Sequence, residues 1–288
     1  MSALAAVAIG RVADAIGQAR EVELSAWTLK PGVVERALER AGDRGAQVVV
    51  HLESRPYADS RARSHRMHQQ NVATAAALKR HGVTVAFNSG RRQTLHMKAA
   101  VVDGVAYLDE RNWANADAAI VETHRPGDVD LVRAAFAGRS GVADSFATSK
   151  AAALALEADI IERAPAGEPI RFATESFGPG PVAKALEARA RAGADVRVIV
   201  DRLEARESSG ARERSELNAL RAAGAHVRVL DRPAKECVAG AEAWAGSANA
   251  TSGRPKTLDW GLRTAEPALV DALGADFEHA WQRARDVL

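Results

Sequence analysis

A histidine and a lysine stand two positions apart in this chain, at His96 and Lys98, just before an apolar run. Residues 95–104 predict a β-strand that ends at the turn Asp103-Gly104. Side chains alternate across a strand, so His96 and Lys98 are expected on the same face. Burying both without a partner would be costly. Because both side chains donate hydrogen bonds when charged, an anionic substrate would be a suitable partner.

The spacing of these residues resembles the signature of the phospholipase D superfamily. That signature is His-x-Lys, four residues, Asp, and about six residues later Gly-Ser-x-Asn. His96, Lys98 and Asp103 fit its three charged positions. The following segment departs from it, because Asp109-Glu110-Arg111-Asn112 matches only at Asn112.

A second, degenerate copy of the motif lies at residues 232–249. Lys235 is kept there, but Pro233 stands where the histidine is expected and Gly240 where the aspartate is expected. The segment Gly246-Ser247-Ala248-Asn249 then matches Gly-Ser-x-Asn in full. Each half of the chain therefore keeps what the other has lost.

The surrounding segments also repeat. A strand, a helix and a strand are predicted over residues 22–29, 33–44 and 46–52, and again over 170–177, 181–192 and 194–201. This pattern predicts an α/β fold, and the resemblance implies two phospholipase D-like α-β repeats with mixed sheets flanked by helices, related by a pseudo-two-fold. We expect the first repeat at residues 1–145 and the second at 146–288. Residues 1–17 predict an amphipathic helix rather than a secretion signal.

The resemblance implies phosphodiester transfer without a metal or cofactor. One histidine attacks phosphorus and forms a phosphohistidine, while a second protonates the leaving oxygen and then activates water or an alcohol. Transferred to this chain, the catalytic candidates are His96, Lys98 and Asp103, and the substrate-binding candidates are Asn112, Lys235, Ser247 and Asn249. Asp103 either supports a histidine or only begins its turn.

Pro233 leaves the second proton-transfer role open. A replacement acid could come from His51, from water or from a second subunit. His65 and His68 share a helix face, but no third metal ligand accompanies them, so a solvated face is the better interpretation. Cys237 is expected to be buried and inert. Loss of the histidine and the aspartate in the second repeat favours a non-catalytic relative that only binds phosphate. The intact first triplet favours an enzyme, which is the preferred interpretation.

Composition sets the remaining limits. The chain has 288 residues, 47% hydrophobic and 26% charged, with a net charge of +2, so no global field draws it to polyanions. Arginine clusters at residues 61–66 and 91–92 could hold a polyanionic substrate or simply be solvated. The expected partner is a phosphodiester substrate, either a nucleic acid or a phospholipid. No run is long enough for a membrane span, one cysteine fits a cytoplasmic location, and a monomer or a homodimer is expected.

Overall fold

The structure is a computed structural model, and it describes residues 3–58, 60–88, 93–113, 120–202, 211–253 and 256–286. The chain forms two compact units. The first runs to Ala143 and also takes in Lys256–Trp260, and the second begins at Asp144 and resumes at Gly261. Five residues from late in the sequence therefore belong to the first unit.

The elements alternate between strands and helices along the whole chain. Those up to residue 136 are β1 (Leu4–Val7), α1 (Ile9–Gln18), β2 (Glu21–Ala26), α2 (Val33–Asp43), β3 (Gln47–Glu53), α3 (Arg61–Arg80), β4 (Thr84–Asn88), β5 (Thr94–Leu95), β6 (Lys98–Val102), β7 (Val105–Asp109), β8 (Ile120–Thr123) and α4 (Pro126–Phe136).

The remaining elements begin at residue 146. They are β9 (Phe146–Ala147), α5 (Lys150–Arg163), β10 (Ile170–Thr174), α6 (Pro181–Arg191), β11 (Val196–Asp201), α7 (Ala211–Ala222), β12 (His226–Leu230), β13 (Glu236–Ala239), β14 (Glu242–Gly246), β15 (Thr257–Leu258), β16 (Gly261–Thr264), α8 (Pro267–Arg283) and β17 (Arg285–Asp286).

Each unit is built on one large mixed sheet. The first sheet has the order β1-β8-β7-β6-β2-β3-β4, and the second has β17-β12-β11-β10-β13-β14-β16-β9. Strands β2, β3 and β4 are parallel, as are β10, β11 and β12, while the other neighbours are antiparallel. The run β8-β7-β6-β2-β3-β4 thus has the same order as β16-β14-β13-β10-β11-β12. This correspondence confirms the predicted α/β fold of two repeats.

Helices cover the sheets with apolar faces, as helix α2 illustrates. Its buried residues Val34, Ala37, Leu38 and Ala41 recur every three or four positions, so they lie on one face against the sheet. The helix ends before Gly45, whose φ of 83° is left-handed and suits glycine. The same alternation of elements and the same packing recur in the second unit, around Phe172, Leu186 and Val198.

Two local expectations need correction. The predicted helix over residues 1–17 is shorter, because Leu4–Val7 form an edge strand that pairs antiparallel with β8 and the helix begins only at Ile9. The predicted strand around His96 is also interrupted, since His96 and Met97 lie between β5 and β6. The cluster at Arg91 and Arg92 lies outside the described residues.

None of the helices in the described ranges is both long and apolar enough to cross a bilayer.

Candidate active site in the first unit

His96 lies in a short break between two strands, and the flanking backbone is fixed on both sides. Before it, β5 pairs in parallel with β15, and the His96 N–H donates to the Leu258 carbonyl at 3.0 Å. After it, the Ser25 hydroxyl of β2 donates to the Met97 carbonyl at 3.1 Å and accepts from the Ala99 N–H at 3.2 Å. The break therefore projects the imidazole from a rigid backbone.

Asp259 orients the imidazole ring. Its Oδ1 lies 2.7 Å from His96 Nδ1, and both side chains are nearly buried, with 2% and 11% exposure respectively. A carboxylate at Nδ1 keeps the proton on that nitrogen and leaves Nε2 with the lone pair. The edge of Trp27 packs against the same ring, with centroids 5.3 Å apart. This arrangement is that of a positioned nucleophile or general base.

A buried carboxylate accepts a hydrogen bond from β5. Glu53, at the end of β3, accepts from the Leu95 N–H at 2.9 Å and from the Asn88 side chain at 2.7 Å. Asn71 of α3 is fully buried and donates to the carbonyls of Trp27 and Glu53. These bonds tie β5 and Trp27 to one network, so both neighbours of His96 are held by buried polar contacts.

Lys98 begins β6 and is almost completely buried. It is directly opposite Asp109 of β7 in the antiparallel ladder. Asp109 is also buried, and its pKa is raised to about 6. The main cause is desolvation, and the charge of Glu110 adds to it, while N–H donors from Trp113 and Arg111 and the charge of Lys98 act in the other direction.

The segment after β7 is a tight turn. Asn112 and Trp113 both have left-handed φ, at 59° and 57°. Asn112 Oδ1 accepts from the Thr28 N–H at 3.2 Å, and the Trp113 N–H donates to Asp109 Oδ2 at 2.5 Å. Asn112 thus lies beside the loop that follows β2, in the same unit as His96 and Lys98.

Asp103 begins its turn, which is one of the two roles that the sequence left open for it. It occupies the β6–β7 turn with a left-handed φ of 46°. Its carboxylate accepts the main-chain N–H groups of Arg20 and Glu21, at 3.1 and 2.9 Å. Asp103 therefore anchors the start of β2, at the opposite end of β6 from His96.

His51 makes contacts other than those expected of a replacement acid. Its Nε2 lies 2.9 Å from Glu23 Oε1, and its ring stacks on Phe136 of α4 with centroids 5.3 Å apart. His68, by contrast, contacts the Ser54 carbonyl through Nδ1 at 2.7 Å, from an exposed face of α3. In the described residues, no group of three or more His, Cys, Asp or Glu side chains is arranged to hold a metal ion.

The degenerate motif lies in the second unit. Lys235 precedes β13, is buried, and pairs with Glu175 Oε2 at 2.9 Å. Ser247 and Asn249 follow β14, and Ser247 is fully buried. Asn249 Oδ1 is a buried atom without a hydrogen-bond partner in the described residues. Cys237 is fully buried in β13, and burial raises the pKa of its thiol, so this cysteine has the character of an inert core residue.

Two residues of this site were missed from the sequence. Asp259 follows a two-residue strand and belongs to no spaced motif, so only the fold reveals its contact with His96. Asp109 stands where the motif expects glycine, and this departure is the signal by which the sequence could have pointed to it.

Comparison with known proteins finds a family match in the second half of the chain. Residues 159–281 match the family model described as "Cardiolipin synthase, PLD-like domain". This match identifies a phospholipase D-like domain in that range. The matched range contains the degenerate motif of the second repeat, whereas the intact motif at His96 lies outside it. A search of curated protein sequences found no match.

Solved structures of similar fold align with nearly the whole chain. Phosphatidylserine synthase from Haemophilus influenzae Rd KW20 aligns over 99% of this chain and 87% of its own, with a TM-score of 0.69 and 10% identity. Polyphosphate kinase from Porphyromonas gingivalis aligns over 97% of this chain with a TM-score of 0.67 and 14% identity. This chain spans 47% of that kinase. At these identities the likeness concerns the fold.

Proposed function

We propose that this protein cleaves or transfers a phosphodiester through a phosphohistidine on His96. The observation that carries the proposal is the 2.7 Å contact between His96 Nδ1 and Asp259 Oδ1. With its proton held at Nδ1, the ring attacks phosphorus through Nε2, and Asp259 offsets the positive charge that develops on the imidazole. The match of residues 159–281 to a phospholipase D-like domain supports chemistry at a phosphodiester.

Cations and amides supply the binding of the phosphate in this proposal. Lys98 is the cation of the first repeat, and Asn112 its amide. Lys235, Ser247 and Asn249 are the corresponding candidates of the second repeat. Their role is to offset charge on the non-bridging oxygens as the transition state forms. No metal or cofactor takes part in these steps.

The substrate class is proposed at the level of the phosphodiester group. A phospholipid and a nucleic acid strand are the two candidates, and the exposed arginines Arg61, Arg63 and Arg66 of α3 suit the second. We place the protein in the cytoplasm, as a monomer or a homodimer.

A second candidate function is phosphate binding without turnover. Pro233 in place of a histidine favours it, and so does the pairing of Lys235 with Glu175, which occupies a cation that would otherwise meet substrate. Under this alternative His96 contacts the ligand but forms no covalent bond.

Adduct formation separates the two functions. Wild type is mixed with a nitrophenyl diester, a phospholipid or a single-stranded nucleic acid, quenched without acid, and measured by intact mass. We expect a phosphoryl adduct on wild type and none on His96→Asn. His51→Asn is the matched control, because His51 is also paired with a carboxylate in the first unit. Saturable binding with no adduct on any substrate would favour the non-catalytic function.

A further inference from the structure

Two acidic residues replace the small residues of the first repeat's turn. Gly246 and Ser247 follow the second repeat's motif, whereas Asp109 and Glu110 stand at the corresponding positions of the first. Both carboxyl groups are buried, with residue exposures of 3% and 7%. Buried carboxyl groups are costly, so their placement beside the motif calls for an explanation.

Two independent contacts connect Asp109 with residues of the candidate site. It faces Lys98 directly across the β6–β7 ladder, and side chains directly opposite in an antiparallel pair lie on the same face. Its carbonyl oxygen also accepts from the Trp260 indole at 2.8 Å. Trp260 follows Asp259, the residue that holds His96. Asp109 is thus linked both to the cation and to the residue that follows the histidine's partner.

The groups around Asp109 favour a carboxyl that gains and loses a proton near neutral pH. Burial and the charge of Glu110 raise its pKa to about 6, against the opposing charge of Lys98. Glu110 forms an ion pair with Arg111. The acidic side chains of Asp109 and Glu110 are therefore accompanied by the basic side chains of Lys98 and Arg111. The main-chain N–H groups of Trp113 and Arg111 both donate to the Asp109 carboxyl, that of Trp113 to Oδ2.

We propose that Asp109 is the proton donor and acceptor that takes the place of the second histidine, an inference that rests on the proposed phosphohistidine chemistry. In the first step Nε2 of His96 bonds to phosphorus, the bond from phosphorus to the leaving oxygen breaks, and the Asp109 proton moves to that oxygen. In the second step Asp109 takes a proton from water, the hydroxide oxygen bonds to phosphorus, and the P–N bond breaks. His96 and protonated Asp109 are restored, so atoms and charge balance.

The test compares leaving groups in the full-length chain. Asp109→Asn keeps an acceptor for the Trp113 N–H but cannot donate the proton. A nitrophenolate leaves without protonation, whereas an alkoxide needs it, and proton transfer by a positioned acid is typically worth about 10²–10⁴-fold. We therefore expect Asp109→Asn to lose about 10²–10⁴-fold on an alkyl diester. Adduct formation from a nitrophenyl diester should change by only a few fold.

The pH dependence of the rate would not change if Asp109 had only a structural role. On the alkyl diester, the wild-type rate should fall as the pH rises through about 6, because the donor loses its proton. Asp109→Glu should keep a profile of this shape, and Asp109→Asn should lose it. Glu157→Gln is the matched control, since Glu157 is a buried carboxyl in the second unit whose pKa burial also raises.

The outcomes distinguish this inference from the function on which it rests. If wild type forms no adduct on His96 with any substrate, the phosphohistidine mechanism fails and the role of Asp109 fails with it. If the adduct forms but Asp109→Asn slows both substrates equally, or keeps the wild-type profile, the mechanism stands and Asp109 is not its acid.

Discussion

At the scale of single residues, Asp259 decides which nitrogen of His96 can react. Its carboxylate accepts a hydrogen bond from the Nδ1–H group. If an amide replaced this carboxylate, the side chain could donate to Nδ1 instead. The ring would then favour the tautomer whose Nε2 carries a proton and cannot attack. The chain thus builds a base–orienter pair from residues 163 positions apart.

We expect Asp259→Asn to slow adduct formation from a nitrophenyl diester by about 10²–10⁴-fold, because removing an orienting carboxylate typically lowers a rate by such a factor. Rapid-quench intact-mass measurements give the rate. Glu23→Gln is the control, because Glu23 is the carboxylate partner of His51. An unchanged rate in Asp259→Asn would mean that its carboxylate does not set the tautomer.

His96, Lys98 and Cys237 could be singled out from the sequence because the motif spacing and the apolar run that contain them are local. The break between β5 and β6 at His96 departs from the two-residue period of a continuous strand. Asp259 could not be found in this way, since its contact depends on β15 pairing with β5 across most of the chain. For Asp103 the sequence left two roles open, because a matching spacing does not reveal what the carboxylate contacts.

At the scale of elements, the β6–β7 hairpin fixes the position of Lys98 against β2. Asp103 and Gly104 both have left-handed φ, at 46° and 85°, which suits a two-residue hairpin turn. The Asp103 carboxylate adds hydrogen bonds to the main chain where β2 begins. Asp103 is therefore expected to act on stability rather than on the reaction.

This expectation predicts a separation of effects between two substitutions. Asp103→Asn should be nearly neutral, because asparagine tolerates left-handed φ and keeps an acceptor. Asp103→Ala should lower the free energy of unfolding by about 1–2 kcal/mol, the cost of that backbone conformation for an ordinary residue. Urea unfolding measures this change. Both variants should form the His96 adduct at the wild-type rate. A large loss of rate in folded Asp103→Asn would mean that Asp103 takes part in the reaction.

At the scale of the whole molecule, every group in the proposed reaction is a side chain of this chain. His96 supplies the nucleophile, Lys98 the cation and Asp109 the proton. We therefore expect turnover of a phosphodiester to persist, within twofold or so, after extended dialysis against a chelator. Activity that disappears and returns with one divalent cation would contradict this reaction scheme.

The chain order also makes the first unit depend on residues late in the sequence. Lys256–Trp260 belong to that unit, where β15 pairs with β5 and Asp259 holds His96. A polypeptide of residues 1–143 keeps His96, Lys98 and Asp109 but lacks those five residues. The break at His96 would then lose the Leu258 carbonyl, the Asp259 carboxylate and the Trp260 indole together.

We expect this shortened polypeptide to form no detectable His96 adduct with a nitrophenyl diester, even where its circular dichroism retains an α/β spectrum. Co-expression with residues 144–288 should restore the adduct, because that segment returns β15 and Asp259. As the matched control, co-expression with the same segment carrying Asp259→Asn should restore the fold but little of the reaction. Adduct formation by residues 1–143 alone at the full-length rate would show that the nucleophile needs no orienting residue from the second repeat.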